Sequence, residues 1–220
     1  MSLNNFVIVL MGVSGSGKTT IGHLLSSKMG IPFFDGDDYH SQQNIDKMKS
    51  GLPLNDQDRS GWLQSLNQLI KDQLALKGGI VACSALKQIY RDILSRDIEG
   101  QVKFVYLEGT FDKIYERHLK RENHFIPSSL LQSQFDILEV PQNALAISIL
   151  ESPEKIVSMI ESSFSSKSSI GIVGLGVMGK SLCRNFANNG VAISMYNRHI
   201  AGVEENIAID FKKEFNVLSS

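Results

Sequence analysis

The chain has 220 residues, 42% of them hydrophobic and 20% charged, and 22 basic side chains against 23 acidic ones leave a formal net charge of −1. That balance allows one ordinary domain plus a smaller one with a sizeable core, and it gives no reason to expect a nucleic acid or an anionic membrane as partner. No apolar run of about 18 residues occurs, and Met1-Ser2-Leu3-Asn4-Asn5 lacks the basic start and apolar centre of a signal peptide, so the cytoplasm is the default location.

Phe6-Val7-Ile8-Val9-Leu10-Met11 is an apolar run of the length of a buried strand. Gly12 to Thr19 follow as Gly-Val-Ser-Gly-Ser-Gly-Lys-Thr, which matches G-x-x-x-x-G-K-[ST]. In that motif backbone N–H groups wrap a phosphate, the lysine reaches the β and γ phosphates, and the hydroxyl binds Mg²⁺. Gly12, Ser14, Gly15, Ser16, Gly17, Lys18, Thr19 and Thr20 are therefore the candidate nucleotide-binding residues, with Lys18 also catalytic and Thr19 also a metal ligand. Ile21, Leu24, Leu25 and Met29 recur at helical spacing until Gly30 stops the helix.

Ile31 to Phe34 reads as a second strand, followed at once by Asp35-Gly36-Asp37-Asp38. Ligands of open α/β sheets bind beyond the carboxyl ends of the strands. Phosphoryl transfer to a hydroxyl needs Mg²⁺ near the γ phosphate and a carboxylate to accept the hydroxyl proton. Three aspartates can divide these roles; Asp35 is the candidate metal ligand and Asp37 the candidate base. The alternative is a plain turn in which Asp38 or Ser41 caps the next helix. Residues 44–59 are polar and punctuated by Gly51 and Pro53, after which a helix is expected from about Gln57 to Lys77, with Trp62, Leu66, Leu69, Ile70 and Leu74 on its apolar face. Arg59 at its start can grip a substrate carboxylate or pair with Asp56 or Asp58 on the surface.

Gly79 to Cys83 is a third strand, and Ser84-Ala85-Leu86-Lys87 is expected to open the following helix, which sets Ser84 and Lys87 at the carboxyl edge. Gln101 to Leu107 is a fourth strand, followed by a helix from about Phe111. Such alternation implies a parallel sheet covered on both faces. Arg117, Lys120, Arg121 and His124 then gather within eight residues, and Arg117 and Arg121 share one helix face. They form either a solvated basic face or a closing lid that brings cations to the transferring phosphate. Ala144 to Ile149 is the fifth strand, and Ser152 with Pro153 starts the last helix of the unit. Ser-rich residues 162–169 mark a boundary, giving a first domain at 1–165, a linker at 166–169 and a second domain at 170–220. Cys83 and Cys183, without C-x-x-C or His spacing, read as buried thiols.

Residues 1–165 resemble the gluconate kinases, small P-loop kinases related in fold to shikimate and nucleoside monophosphate kinases. The likeness runs through Met11 to Lys18, Asp35 to Asp38 with His40, Lys47-Met48, Gly51 to Asp56, Asp58-Arg59, Val81 to Lys87 with Tyr90-Arg91-Asp92, His124-Phe125, Leu130-Leu131 and Ser133-Gln134-Phe135. It implies an α/β P-loop kinase fold, with a five-stranded parallel sheet flanked by helices and a helical lid. It also implies a homodimer and ATP-dependent phosphorylation of the 6-hydroxyl of D-gluconate to 6-phosphogluconate, with Mg²⁺. By the resemblance, ATP phosphates fall to Gly15, Gly17, Lys18 and Thr19, and the sugar acid to Asp37, Arg59 and Lys87, with His124 added. Arg117 and Arg121 become catalytic lid arginines. The chain departs from the family at Tyr39, Gly61 and Ile126; Gly61, where proline is usual, adds backbone freedom beside Arg59. Shikimate or another sugar acid is the alternative acceptor. A GTPase-like switch is disfavoured because no N-K-x-D motif is present.

Beyond the linker, Ile170 to Val173 reads as a strand, and Gly174-Leu-Gly176-Val-Met-Gly179 is G-x-G-x-x-G opening a helix that ends near Asn189. Val191 to Tyr196 follows as a second strand, completing a partial Rossmann βαβ unit. Asn197-Arg198 stands where NAD sites carry an acidic residue, and an arginine there suits the 2′-phosphate of NADP. The stretch resembles the start of 6-phosphogluconate dehydrogenases. Two strands and one helix cover their own apolar surface poorly, so the expectation is a truncated fusion fragment with weak NADP binding at best and no dehydrogenase activity. The tail can alternatively be a docking module for another chain.

Overall fold

The computed structural model describes residues 6–119, 128–164, 170–173, 177–188, 193–196 and 218–219. It divides into two compact units, Met1–Glu161 and Ser162–Ser220. Among the described residues no helix is long and apolar enough to cross a membrane.

The first unit contains β1 (Val7–Met11), α1 (Lys18–Met29), β2 (Phe33–Asp35), a single 3₁₀ turn (Gly36–Tyr39), α2 (Gln42–Lys49), α3 (Asp56–Leu74), β3 (Gly79–Ala82), α4 (Gln88–Ser95), β4 (Val102–Glu108), α5 (Phe111–Leu119), α6 (Ser128–Asp136), β5 (Leu145–Ser148) and α7 (Pro153–Phe164). The five strands pair in parallel in the order β2-β3-β1-β4-β5. β1 lies in the middle and is buried at every residue, which explains its uninterrupted apolar sequence. Its alternating side chains serve two layers. Val7, Val9 and Met11 join Trp62, Leu63, Leu66 and Ile70 of α3 with Tyr90 and Leu94 of α4 in one core. Ile8 and Leu10, also fully buried, point to the other face. On the helical side, Lys28 of α1 pairs with Glu161 of α7 at 2.6 Å.

All five carboxyl ends lie at one edge, and each is followed by a loop or turn. Two helices flank that edge, one that the sequence offered only as the alternative capped by Asp38 or Ser41 and one that it did not predict. α2 is capped by Ser41, whose hydroxyl accepts from the Asn44 amide, so Ser41 and not Asp38 is the cap. α6 buries Leu131. α3 starts with a capping box between Asn55 and Asp58. Ser84 to Lys87 does not open α4. It is a loop in which buried Ala85 takes φ 44°, held because the buried Arg91 guanidinium donates to the carbonyls of Ala85 (2.9 Å) and Leu86 (3.1 Å).

The second unit contains β6 (Ile170–Val173), α8 (Val177–Asn188), β7 (Ile193–Tyr196) and β8 (Leu218–Ser219). Its sheet is parallel, in the order β6-β7-β8. The expected two strands are thus three, since the short β8 continues the sheet beyond β7.

Candidate active site

The phosphate loop leaves the buried end of β1 and closes on the first turn of α1. Gly12, Gly15 and Gly17 all have positive φ (139°, 81° and 100°), a backbone path that glycine follows without Cβ strain. The Lys18 ammonium folds back over the loop, donating to the carbonyls of Gly12 and Val13 at 3.0 Å each. Ser16 is buried, and its hydroxyl has no hydrogen-bond partner among the described residues. Thr20 is exposed on α1.

Thr19 donates its hydroxyl hydrogen to Asp35 Oδ2 at 2.8 Å. A hydroxyl and a carboxylate side by side at the phosphate loop fit Mg²⁺, which takes one or two protein oxygens and completes its shell with phosphate and water. Among the described residues no cluster of three or more His, Cys, Asp or Glu side chains forms an all-protein metal cage. The other Asp35 oxygen accepts from the Asp37 amide at 3.2 Å and starts the 3₁₀ turn.

That turn is wedged tightly into the core. The Trp62 indole donates to the Gly36 carbonyl at 2.7 Å, and a Cβ on Gly36 would lie 2.3 Å from the Ala82 carbonyl oxygen. Asp37 is thereby held over a cavity of about 450 Å³, which Ser14, Lys18, His40, Arg59, Trp62 and Gln134 also line. His40 stacks on Trp62 with ring centroids 4.2 Å apart. Burial lowers its pKa below the ordinary 6.5; Asp37 opposes that shift and Arg59 adds to it.

Arg59 pairs with neither carboxylate that its sequence neighbourhood offers. Asp58 is taken by Lys47 at 2.7 Å and Asp56 by Lys87 at 2.8 Å. Arg59 instead donates to the Leu54 carbonyl and, at 3.4 Å, to the Tyr90 hydroxyl, with its guanidinium 5.6 Å from the centre of the Tyr90 ring. A guanidinium anchored this way at a cavity wall is suited to a carboxylate ligand. Lys87 stands apart. It lines an adjoining cavity of about 550 Å³ that shares Arg59, and it is engaged with Asp56, which also accepts from Tyr90. The Lys87 hydrogen bond, then the Tyr90 one, lowers the Asp56 pKa, while the same bond to Asp56 raises that of Lys87. The structure thus brings Lys18, Asp37 and Arg59 to one cavity and leaves Lys87 at its neighbour.

Arg117, on α5, is half-buried and donates to the Ile149 carbonyl. Arg121 and His124 lie outside the described residues, as do Gly174, Gly176, Asn197 and Arg198; Gly179 is in the first turn of α8. Cys83 is fully buried, and desolvation pushes its thiol to about 12; burial also raises Cys183. Neither behaves as a nucleophile or metal ligand. Sequence reasoning gave Trp62, His118 and Gln134 no part in the site. The available signals were weak: a lone tryptophan in an apolar stripe, and a histidine four residues after Ile114 on the buried face of α5.

The family model described as Shikimate kinase matches residues 14–141, and the one described as NAD binding domain of 6-phosphogluconate dehydrogenase matches residues 169–217. The chain is 46% identical over 174 residues to a Probable gluconokinase of Mus musculus, an alignment covering 70% of this chain and 95% of that protein. The chain belongs to the gluconokinase family. A Thermosensitive gluconokinase of Escherichia coli (strain K12) is 46% identical over 138 residues, 61% of this chain and 72% of that protein. Among solved structures, a gluconokinase from Sinorhizobium meliloti 1021 aligns with a TM-score of 0.68 and 35% identity, over 83% of this chain and 98% of that one. The first unit of this gluconokinase relative therefore has the P-loop kinase fold, and its C-terminal segment carries a likeness to NAD-binding domains.

Proposed function

We propose that the chain transfers the γ-phosphoryl group of ATP to the 6-hydroxyl of D-gluconate. The observation that carries this reading is the sharing of one cavity by Lys18 of the phosphate loop, Asp37 and Arg59, in a chain 46% identical to a gluconokinase. Lys18 exchanges its loop carbonyls for phosphate oxygens, and the loop amides hold the β and γ phosphates. Thr19 and Asp35 would supply the protein oxygens for Mg²⁺, and the bound ion would contribute positive charge against the phosphates. Arg59 binds the gluconate carboxylate, and Asp37 accepts the proton from the attacking hydroxyl. Arg117 is turned toward Ile149; with Arg121 it steadies the transferring phosphoryl once released from that carbonyl. Lys87 reaches the sugar acid only by giving up Asp56. Formation of 6-phosphogluconate, read by a separately added NADP-linked dehydrogenase, tests the reaction. Absence of that product with ATP, Mg²⁺ and gluconate present would contradict it.

The second unit is read as NADP-binding, with Gly174, Gly176, Gly179, Asn197 and Arg198 as contacts and functional boundaries at 1–165 and 170–220. The match to an NAD-binding family model supports this. Calorimetric titration with NADP and NAD tests it, with preference for NADP expected. A cytoplasmic location is the default reading of the sequence's composition, and a homodimer rests on the resemblance alone; sedimentation of the purified chain tests the second.

A further inference from the structure

The backbone of Ser14, at the crown of the phosphate loop, is gripped on both of its flanking peptides by residues outside the loop. The Ser14 amide donates to Gln134 Oε1 at 2.7 Å. The Ser14 carbonyl lies 3.2 Å from His118 Nε2. A carbonyl can only accept, so the ring hydrogen of that bond sits on Nε2. His118 is 4% exposed, and its other nitrogen, Nδ1, is buried with no hydrogen-bond partner among the described residues. A buried polar atom left without a partner is costly, and the ring's polar contact is on the loop side.

Gly15 completes the fit. It has φ +81°, and a Cβ on it would run into the His118 ring, with Cε1 only 2.9 Å away. The imidazole therefore occupies the space that any other residue at position 15 would fill. His118 is in the last turn of α5 and Gln134 lies on α6. The two helices meet through Phe111 and Phe135, whose rings pack edge to face at 5.6 Å. The two peptides that flank Ser14 are thus held by two helices that lie far from the loop in sequence.

Loop amides bind phosphate strongly only if they already point at it, because a peptide that must first be oriented spends binding energy on that step. We propose that His118 and Gln134 are positioning residues of the phosphate loop, holding the two peptides on either side of Ser14 in the orientation that receives a nucleoside triphosphate. This rests on reading the loop as the ATP site. Both residues act through the loop backbone in this role.

The test is calorimetric titration of Mg²⁺-ATP, without acceptor, into the full chain and into Gln134→Met, His118→Leu and the double variant. Both replacements keep apolar volume while removing the polar atom that contacts Ser14. Each single variant is expected to weaken ATP binding about three- to tenfold, the worth of one lost hydrogen bond. The double variant should lose less than the product of the two, because the two residues hold adjacent peptides of one residue, Ser14. In His118→Leu, whose ring is not among the residues lining the cavity shared by Asp37 and Arg59, the KM for gluconate should stay at its wild-type value. Variants that bind ATP as tightly as the wild type, or a His118→Leu chain that loses ATP and gluconate affinity in equal measure, overturn the inference. A wild-type chain that binds no ATP removes the kinase reading itself, and this one with it.

Discussion

Replacing Gly36 by alanine should damage both stability and turnover, for one geometric reason. The new Cβ would lie 2.3 Å from the Ala82 carbonyl oxygen and 3.3 Å from Leu66 Cδ1. Leu66 can give way by changing rotamer, but the carbonyl belongs to β3 in the interior of the sheet. Relief of the overlap requires roughly 0.7 Å of backbone movement, and overpacking of this kind costs about 2 kcal/mol. For a chain of this size that lowers the melting temperature by about 4–8 °C. The movement falls on the turn that carries Asp35 and Asp37, where a displacement approaching 1 Å should reduce kcat by about 10–100-fold. Gly61→Ala is the matched control: it lies within α3 with nothing within 4 Å of its would-be Cβ, and it should gain about 1 kcal/mol from helix propensity. Thermal melting followed by circular dichroism, with initial rates, reads both effects. A Gly36→Ala chain that melts and turns over like the wild type would refute the wedge argument.

Arg59→Ala should raise the KM for gluconate by about 10–100-fold, the worth of a charge-assisted hydrogen bond, and leave the KM for ATP unchanged; Arg59→Lys should recover only part because the planar fork is lost. Asp35→Asn, which keeps an oxygen for the Asp37 amide, should raise the Mg²⁺ concentration for half-maximal rate by about tenfold, measured by metal titration at saturating ATP. Because burial holds the His40 pKa below 6.5, the unfolded chain binds the proton first as pH falls. Its stabilising contribution is therefore complete above 6.5 and lost as the pH falls through the lowered folded value, and melting scans from roughly pH 7 to roughly pH 5 should show a slope that His40→Gln flattens. The depressed carboxylates Asp56 and Asp58 titrate below their ordinary 3.8 and leave that window undisturbed.

Much of this was readable from residues alone, and the unreadable parts share a cause. β1 and β3 announce themselves because strands buried on both faces are continuous apolar runs, and the phosphate loop because its glycine spacing is demanded by backbone geometry. α2 carries no such signal. It buries only Asn44 and is held by contacts to α3, namely Asn44 to the Asp58 carbonyl at 2.8 Å and Lys47 to Asp58. The bend at Ala85 escaped notice for the same reason: a non-glycine residue takes a positive φ there because the distant Arg91 ties down its carbonyl. Arg59 had two carboxylates within reach in sequence, and only the fold shows that Lys47 and Lys87 claim them. β8, two residues long, is too short to register as a pattern.

The central claim is a gluconate-specific phosphotransferase built on Lys18. It is tested most directly by ADP release from the purified chain with ATP and Mg²⁺ in the presence of gluconate, shikimate, AMP or no acceptor, with Lys18→Ala as control. The account predicts strong stimulation by gluconate alone, abolished in Lys18→Ala. Equal release with every acceptor, or stimulation by shikimate and none by gluconate, would contradict it.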